Sequence, residues 1–110
     1  MLAAITLMLA QASTPSPLVY LDCLLDYSIG DRQVPWQITL NEAQQTVEYT
    51  PGKGHTRRRP ARFTADAVYF EDNIISRVDL TFASDGVNAI GQRTWARGTC
   101  RLVEPKIRAF

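Results

Sequence analysis

The sequence predicts an all-β fold, in which a small antiparallel meander of about eight short strands forms a closed or partly open up-and-down barrel. A β-sandwich is the alternative. Two observations support this prediction. Apolar and polar residues alternate with a period of two along most of the chain after residue 17, as in strands with one buried face. Turn-forming residues recur roughly every 8 to 12 residues, which is typical of small barrels and sandwiches.

The first three strands are visible as alternating segments. Residues 18–28 place apolar side chains on one face and polar side chains on the other. Residues 34–41 and 46–50 repeat this pattern, and we predict that they form a hairpin across residues 41–45. The inward residues of these segments are Leu21, Cys23, Leu25, Tyr27, Val34, Trp36, Ile38, Leu40, Val47 and Tyr49.

The later segments predict shorter strands. Residues 61–73 indicate two short strands or one strand with a bulge. Residues 74–83 show the longest alternation in the chain and predict a single strand. Its inward residues would be Ile74, Ser76, Val78, Leu80 and Phe82. Residues 84–86 predict a turn, and residues 86–97 and 98–104 predict the last strands.

Length and composition limit the domain organisation. A chain of 110 residues with 45% hydrophobic and 21% charged residues can build one small core. We interpret residues 1–12 as a signal peptide, because an uncharged apolar run ends in a small-x-small cleavage pattern at Ala10-Gln11-Ala12. A buried N-terminal strand or helix is the alternative. Residues 13–17 would then be a flexible leader and residues 18–110 a single β-domain.

The apolar run is too short to span a bilayer, so we expect a periplasmic or secreted protein without stable membrane insertion. Cys23 lies in the first predicted strand and Cys100 in the last. In an oxidising compartment, two cysteines with one possible pairing predict a disulfide. Two unrelated buried thiols are the alternative. In a closed barrel the first and last strands are neighbours, and the bridge would join them at the seam.

The basic stretch, residues 51–63, is the strongest candidate for a binding site. Its candidate contact residues are Lys53, His55, Arg57, Arg58, Arg59 and Arg62. Outside it, seven basic residues stand against eleven acidic ones, so the charge is polarised although the net charge is only +1. Arginines bind phosphate, sulfate and carboxylate groups through paired hydrogen bonds. The alternative is a solvated hairpin tip whose arginines pair with nearby acids.

The residue types needed for most catalytic and metal sites are missing, so we predict no catalytic residues, no metal and no cofactor. The single histidine, His55, lies in a Gly-rich loop that would not hold it in place. A structural zinc site needs four Cys or His ligands, and the chain has three. Residues 71–73 predict a turn rather than a calcium loop. The near-zero net charge argues against nucleic acid.

The aromatic residues raise the possibility of a ligand cavity inside the barrel, although we favour core filling, since aromatic side chains dominate small cores. These residues are Trp36, Trp95, Tyr20, Tyr27, Tyr49 and Tyr69.

Several short features occur together: an apolar leading segment, a cysteine near each end of the domain, W-x-I-x-L at residues 36–40, ISRVDL at residues 75–80 and GTC at residues 98–100. In this combination the chain resembles small exported bacterial β-domains and, more loosely, the membrane-bound inhibitors of c-type lysozyme. The resemblance implies a disulfide-bonded β-barrel of the bacterial envelope.

The expected function is therefore non-enzymatic: an exported binding or inhibitor-like protein that contacts an envelope or secreted protein, or an anionic glycan, through residues 53–62. One alternative is a carrier of a small apolar ligand. Another is a hydrolase whose carboxylates come from separate strands.

Overall fold

The computed structural model describes residues 17–30 and 32–104, and all regular secondary structure within them is β. The strands are β1 (Val19–Tyr27), β2 (Gln33–Asn41), β3 (Thr46–Pro51), β4 (Arg57–Pro60), β5 (Arg62–Phe63), β6 (Ala67–Phe70), β7 (Asn73–Ser76), β8 (Thr81–Val87) and β9 (Arg93–Val103). They form one antiparallel sheet in the order β4-β3-β2-β1-β9-β8-β7-β6-β5. The all-β meander is confirmed, with nine described strands instead of about eight.

The sheet curls into a nearly closed barrel. Its two edge strands, β4 and β5, are separated in the chain by Ala61 alone. One residue can join the opposite edges of a sheet only if the sheet bends until those edges meet. This curling covers the strand edges, which would otherwise offer unpaired backbone groups to other chains.

Side chains connect the two halves of the sheet where backbone pairing stops. At one end of the barrel, Arg77 of the β7–β8 turn donates to Glu42 of the β2–β3 turn at 2.9 Å and to the Thr64 carbonyl at 2.7 Å. At the other end, the Glu71 carboxylate accepts hydrogen bonds from the Tyr49 hydroxyl and from Arg59. The barrel is therefore held together at both ends without a fully closed ring of backbone hydrogen bonds.

Aromatic side chains fill the middle of the barrel. Trp36 stacks on Tyr49 with 5.3 Å between ring centroids, and Phe70 and Phe82 pack at steeper angles against this pair. Small barrels are commonly filled by side chains in this way. The alternation predicted for the first three strands is confirmed by burial of Leu21, Cys23, Leu25, Trp36, Ile38, Leu40, Val47 and Tyr49.

The prediction of one strand across residues 74–83 is wrong. β7 ends at Ser76, β8 starts at Thr81, and the two strands pair with each other in antiparallel fashion. As a result Ile75 is buried, whereas Ile74 and Val78 are exposed.

Ser76 explains the break between these strands. Its hydroxyl accepts hydrogen bonds from the amides of Val78 and Asp79, a local pattern that competes with strand pairing. Leu80 then adopts a left-handed φ of 60°. Inward positions are odd-numbered in β7 and even-numbered in β8. The alternation of apolar and polar residues alone did not reveal this switch from odd to even inward positions, because apolar residues occur both before and after the switch.

The turn predicted at residues 84–86 is also misplaced, because these residues lie inside β8. The reversal occurs at Asn88–Gly91, where the Gly91 amide donates to the Asn88 carbonyl and the Asn88 side chain accepts the amides of Ile90 and Gln92. An asparagine side chain that accepts backbone amides of its own turn stabilises the reversal locally.

The predicted disulfide is confirmed. Cys23 and Cys100 are direct partners in the β1–β9 pairing and are bonded to each other. The Cys100 amide donates to the Leu80 carbonyl, on the side of the strand away from β1. The cysteine pair therefore occupies a position without backbone hydrogen bonds to its partner, where opposing side chains come closest. The bridge is compatible with an oxidising, exported compartment.

The predicted signal peptide, residues 1–12, and residues 13–16 of the leader lie outside the described residues. Across residues 17–30 and 32–104, no helix has the length and apolar character that crossing a bilayer requires.

Candidate functional site

One end of the barrel opens into a cavity of about 610 Å³, which we call the mouth. The ends of β1, β3 and β8, the starts of β2, β4, β7 and β9, and the turns between them surround it. Because alternate strands of a meander reverse direction, residues far apart in the sequence meet there. The mouth has an aromatic side and a polar side, described in turn below.

The aromatic side is built from β1, β2 and β3. Trp36 and Tyr49 form its floor, and the Trp36 indole N–H donates to the Tyr27 hydroxyl at 3.0 Å. Trp95 belongs to β9, lies beside the rim on the outward face of that strand, opposite the exposed Asp85, and is 53% exposed. The assignment of Trp95 to the core is therefore wrong, whereas Trp36 and Tyr49 do fill the core. The Trp95 backbone is fixed by two hydrogen bonds with Ser28, of 2.8 and 2.9 Å.

The polar side is built from β7, β8 and β9. Asn73 and Ser84 are direct cross-strand partners, and Thr94 lies opposite Gly86 in the next pairing. Asn73 lines the mouth and is only 6% exposed. Within the described part of the chain, the side chains of Asn73, Ser84 and Thr94 have no hydrogen-bond partner. No buried side-chain nitrogen or oxygen atom of the described residues lacks a partner, so the polar atoms of these three side chains are accessible from the mouth, where solvent or a ligand can bind them.

None of these three polar residues stood out in the sequence. Their signal is that the inward positions near the mouth end of β7, β8 and β9 are polar or glycine: Asn73, Ser84, Gly86 and Thr94. The misplaced turn at residues 84–86 hid that signal, because it removed two of these positions from the predicted strands.

Glu71 organises the rim between the two sides. It is the first residue of a two-residue turn between Phe70 and Asn73, with a left-handed φ of 50°. Glycine usually occupies such a position, and another residue there costs about 1–3 kcal/mol. The hydrogen bonds that its carboxylate accepts from Tyr49 and from Arg59, the latter at 3.1 Å, offset this cost. The predicted turn at this site is confirmed.

Burial and the Glu71 carboxylate raise the pKa of Tyr49 above its ordinary value of 10.0, and the nearby Arg57 opposes this shift. We expect the difference titration between the wild-type protein and Tyr49→Phe, followed by phenolate absorbance, to show a phenol ionising above pH 10. The free energy of unfolding should be insensitive to this group below pH 10 and should fall as the pH rises toward the folded-state pKa, because the unfolded chain loses this proton first. A phenol that titrates at or below its ordinary value would contradict the proposed contact with Glu71.

The arginines of β4 divide between two faces. Arg57 and Arg59 pair with Tyr49 and Val47, whose side chains point inward, so they lie on the inner side of the strand. Arg57 therefore reaches the mouth, and Arg59 bonds to Glu71. Arg58 lies on the outer face and donates to Gln44 at 3.3 Å. The three arginines do not form one patch.

The other residues of the basic stretch lie apart from one another. Lys53 and His55 are exposed in the loop between β3 and β4, beside a turn closed by the Gly54 amide and the Pro51 carbonyl. The Arg62 guanidinium lies 4.2 Å from the centroid of the Tyr69 ring, in a cation–π contact with its cross-strand partner. Of the six candidate contact residues, Arg57 alone lines the mouth.

Three carboxylates from two parts of the sheet also lie at the mouth. Glu71 is paired with Arg59, and Asp85 is paired with Arg97 at 3.2 Å. Asp72 has no ion pair within residues 17–30 and 32–104. The same residues contain no group of three or more His, Cys, Asp or Glu side chains arranged to hold a metal ion.

Comparison with known proteins adds no relative: no family model matches the chain, and no curated protein or solved structure matches it. The likeness to the lysozyme inhibitors therefore holds only at the level of a small, disulfide-bonded all-β domain.

Proposed function

We propose that this protein is a non-enzymatic binding protein, exported to the periplasm or beyond the cell, and that its ligand enters the mouth. The observation that carries this proposal is the Asn73 carboxamide, which lines the cavity and has no partner within the described chain, while its polar atoms stay accessible from the mouth although the residue as a whole is only 6% exposed. A ligand that covers these atoms without a hydrogen bond would lose about 1–3 kcal/mol. A ligand that supplies the hydrogen bond avoids this cost and binds more tightly.

The same residue argues against the carrier of a small apolar ligand. An apolar molecule in the mouth would displace water from Asn73, Ser84 and Thr94 without replacing its hydrogen bonds. Those groups would then be left unpaired, which weakens binding. The barrel interior also argues against an apolar-ligand carrier, because stacked aromatic rings already occupy it.

The basic stretch contributes to binding through Arg57. This side chain has no ion pair within the described residues, whereas Arg59 is engaged by Glu71. The Arg57 guanidinium could therefore bind an acidic group of the ligand. It could equally bind an acidic side chain of an envelope or secreted protein that enters the mouth. An inhibitor-like role would use the same contact, with a loop of the partner protein entering the mouth.

The alternative of a hydrolase requires a concave site with several carboxylates, and the mouth is such a site. Two of these carboxylates, however, are held by arginines. A catalytic carboxylate must be within hydrogen-bonding distance of the substrate, and a carboxylate held in an ion pair is not free to turn toward a substrate in the mouth. Binding without catalysis is therefore the better-supported function.

Filling the mouth with a side chain tests the proposal. A Cβ added at Gly86 would lie 3.7 Å from Asp72 Oδ2, an ordinary contact, so Gly86→Leu should fold and project into the cavity. A chemically diverse fragment library is screened by amide chemical-shift mapping. We expect hits to perturb residues around the mouth and to be lost in Gly86→Leu.

Thr99→Leu is the matched control, because Thr99 is exposed on the outer face of the neighbouring strand β9 and lies away from the mouth. It should retain every hit. Hits that map elsewhere, or that bind Gly86→Leu as well as they bind the wild-type protein, would show that the mouth is not the site.

A further inference from the structure

The ion pairs at the mouth leave charges of both signs without a partner. Of its three carboxylates, Glu71 and Asp85 are each neutralised by an arginine. Asp72, Arg57 and Arg32 also line the mouth, and within the described part of the chain none of them forms an ion pair. A ligand that carries one sign of charge would be attracted by some of these groups and repelled by others.

The Asp72 carboxylate lies over the inner face of β8, beside Gly86. Gly86 is an inward position without a side chain, and a Cβ built there would lie 3.7 Å from Asp72 Oδ2 and 3.9 Å from Thr94 Oγ1. Two side-chain oxygen atoms therefore border the space that the glycine leaves open. An ammonium group in this space would donate to both oxygens, and the carboxylate would balance its charge.

The Arg57 guanidinium lies on the other side of Glu71. Burial and Glu71 raise the pKa of Tyr49 and Arg57 opposes them, so this guanidinium lies near the Tyr49 hydroxyl, which donates to Glu71. Asp72 follows Glu71 in the chain and reaches toward β8, whereas Arg57 reaches the mouth from β4. A guanidinium at this position suits a carboxylate, which it binds through paired hydrogen bonds.

The neutral groups below the rim suit a ligand with peptide-like polar atoms. Asn73 and Ser84 are cross-strand partners, one inward position deeper than Gly86. A carboxamide donates and accepts side by side, as a peptide group does, and a hydroxyl can do either. Short peptides combine peptide groups with an ammonium and a carboxylate at their ends, and amino acids carry these two charges close together.

On the basis of the proposed function, we infer that the ligand is a zwitterion, an amino acid or a short peptide with free ends, whose ammonium group binds Asp72 and Thr94 and whose carboxylate binds Arg57. Asn73 and Ser84 bind the polar groups between these charges. A ligand with a carboxylate alone would leave Asp72 without a cationic partner.

The test uses the full, disulfide-bonded chain at neutral pH and four probes: L-leucine, L-phenylalanine, dialanine and trialanine. Binding is measured by calorimetry and by amide chemical-shift mapping. We expect saturable binding of at least one probe. N-acetylation of that probe removes its ammonium charge, and amidation removes its carboxylate charge. Each change should weaken binding by about tenfold or more, as the loss of a hydrogen bond to a charged group does.

Two variants assign each charge of the probe to its residue. Asp72→Asn should weaken binding of the free probe by about tenfold and should not weaken binding of the N-acetylated probe, which has no ammonium group. Arg57→Gln should weaken binding of the free probe to a similar extent and should not weaken binding of the amidated probe. A merely structural effect of either substitution would weaken the free and blocked forms alike.

Asp66→Asn and Arg58→Gln are the matched controls. Asp66 precedes β6 at the end of the barrel opposite the mouth, and Arg58 lies on the outer face of β4. Both variants should bind the probes as the wild-type protein does. The residues changed in the two test variants and the two controls are all exposed, so the urea unfolding midpoints of the four variants should stay close to that of the wild-type protein.

Failure of all four probes to bind, or equal affinity for free and blocked forms, would overturn the inference, as would unchanged binding by Asp72→Asn and Arg57→Gln. Gly86→Leu separates this failure from that of the proposed function. If hits of the fragment screen bind in the mouth and are lost in Gly86→Leu while no zwitterionic probe binds, the mouth stands and the zwitterion is wrong. Zwitterion binding that survives Gly86→Leu would overturn both.

Discussion

Replacing Cys23 and Cys100 together by alanine should lower the free energy of unfolding by about 4 kcal/mol, because the bridge closes a loop spanning 77 positions and restricts the unfolded chain. A domain of this size is stable by only about 5–15 kcal/mol, so the variant should lose much of its resistance to urea. Urea unfolding monitored by tryptophan fluorescence measures the difference.

Reduction of the wild-type protein supplies the control for side-chain packing. It breaks the same bond without removing sulfur atoms from the core, and it should shift the unfolding midpoint in the same direction. The double alanine variant should not respond to reductant. Two titratable thiols in the oxidised native protein would contradict the bridge itself, and with it the compatibility with an oxidising compartment.

Gly98→Ala should be nearly as damaging, at about 3 kcal/mol, although it adds only one methyl group. Gly98 lies in β9 opposite Leu25 of β1. A Cβ there would lie 2.0 Å from the Leu24 carbonyl oxygen and 2.8 Å from the Leu25 Cα. These are backbone atoms of the neighbouring strand, so relief of the clash requires β1 and β9 to separate at the seam that the disulfide joins.

Gly86→Ala is the matched control in the adjacent strand β8. Its added Cβ would meet nothing closer than 3.7 Å, and its backbone is not left-handed. It should change the free energy of unfolding by no more than about 0.5 kcal/mol. Equal urea midpoints for Gly98→Ala and Gly86→Ala would show that β1 and β9 are not as close as described.

The sequence predicted the candidate site in part. It identified the basic stretch, yet it could not separate Arg57, which lines the mouth, from Arg58, which points away from it. That distinction depends on the register of β4 against β3, which places Arg57 beside a buried tyrosine. Asn73 was assigned only to a turn. Its place in the mouth, without a hydrogen-bond partner in the described chain, follows from the strands that surround it.

By itself, the sequence determined the all-β class, the inward faces of the first three strands and the pairing of Cys23 with Cys100. Each follows from local alternation or from a cysteine count that allows one pairing. Only the tertiary structure decided where β7 turns into β8, that the sheet edges meet at Ala61, and that the mouth has an aromatic and a polar side. The physical reason is that alternation records which residues avoid water, whereas closure and register depend on contacts between segments far apart in the chain.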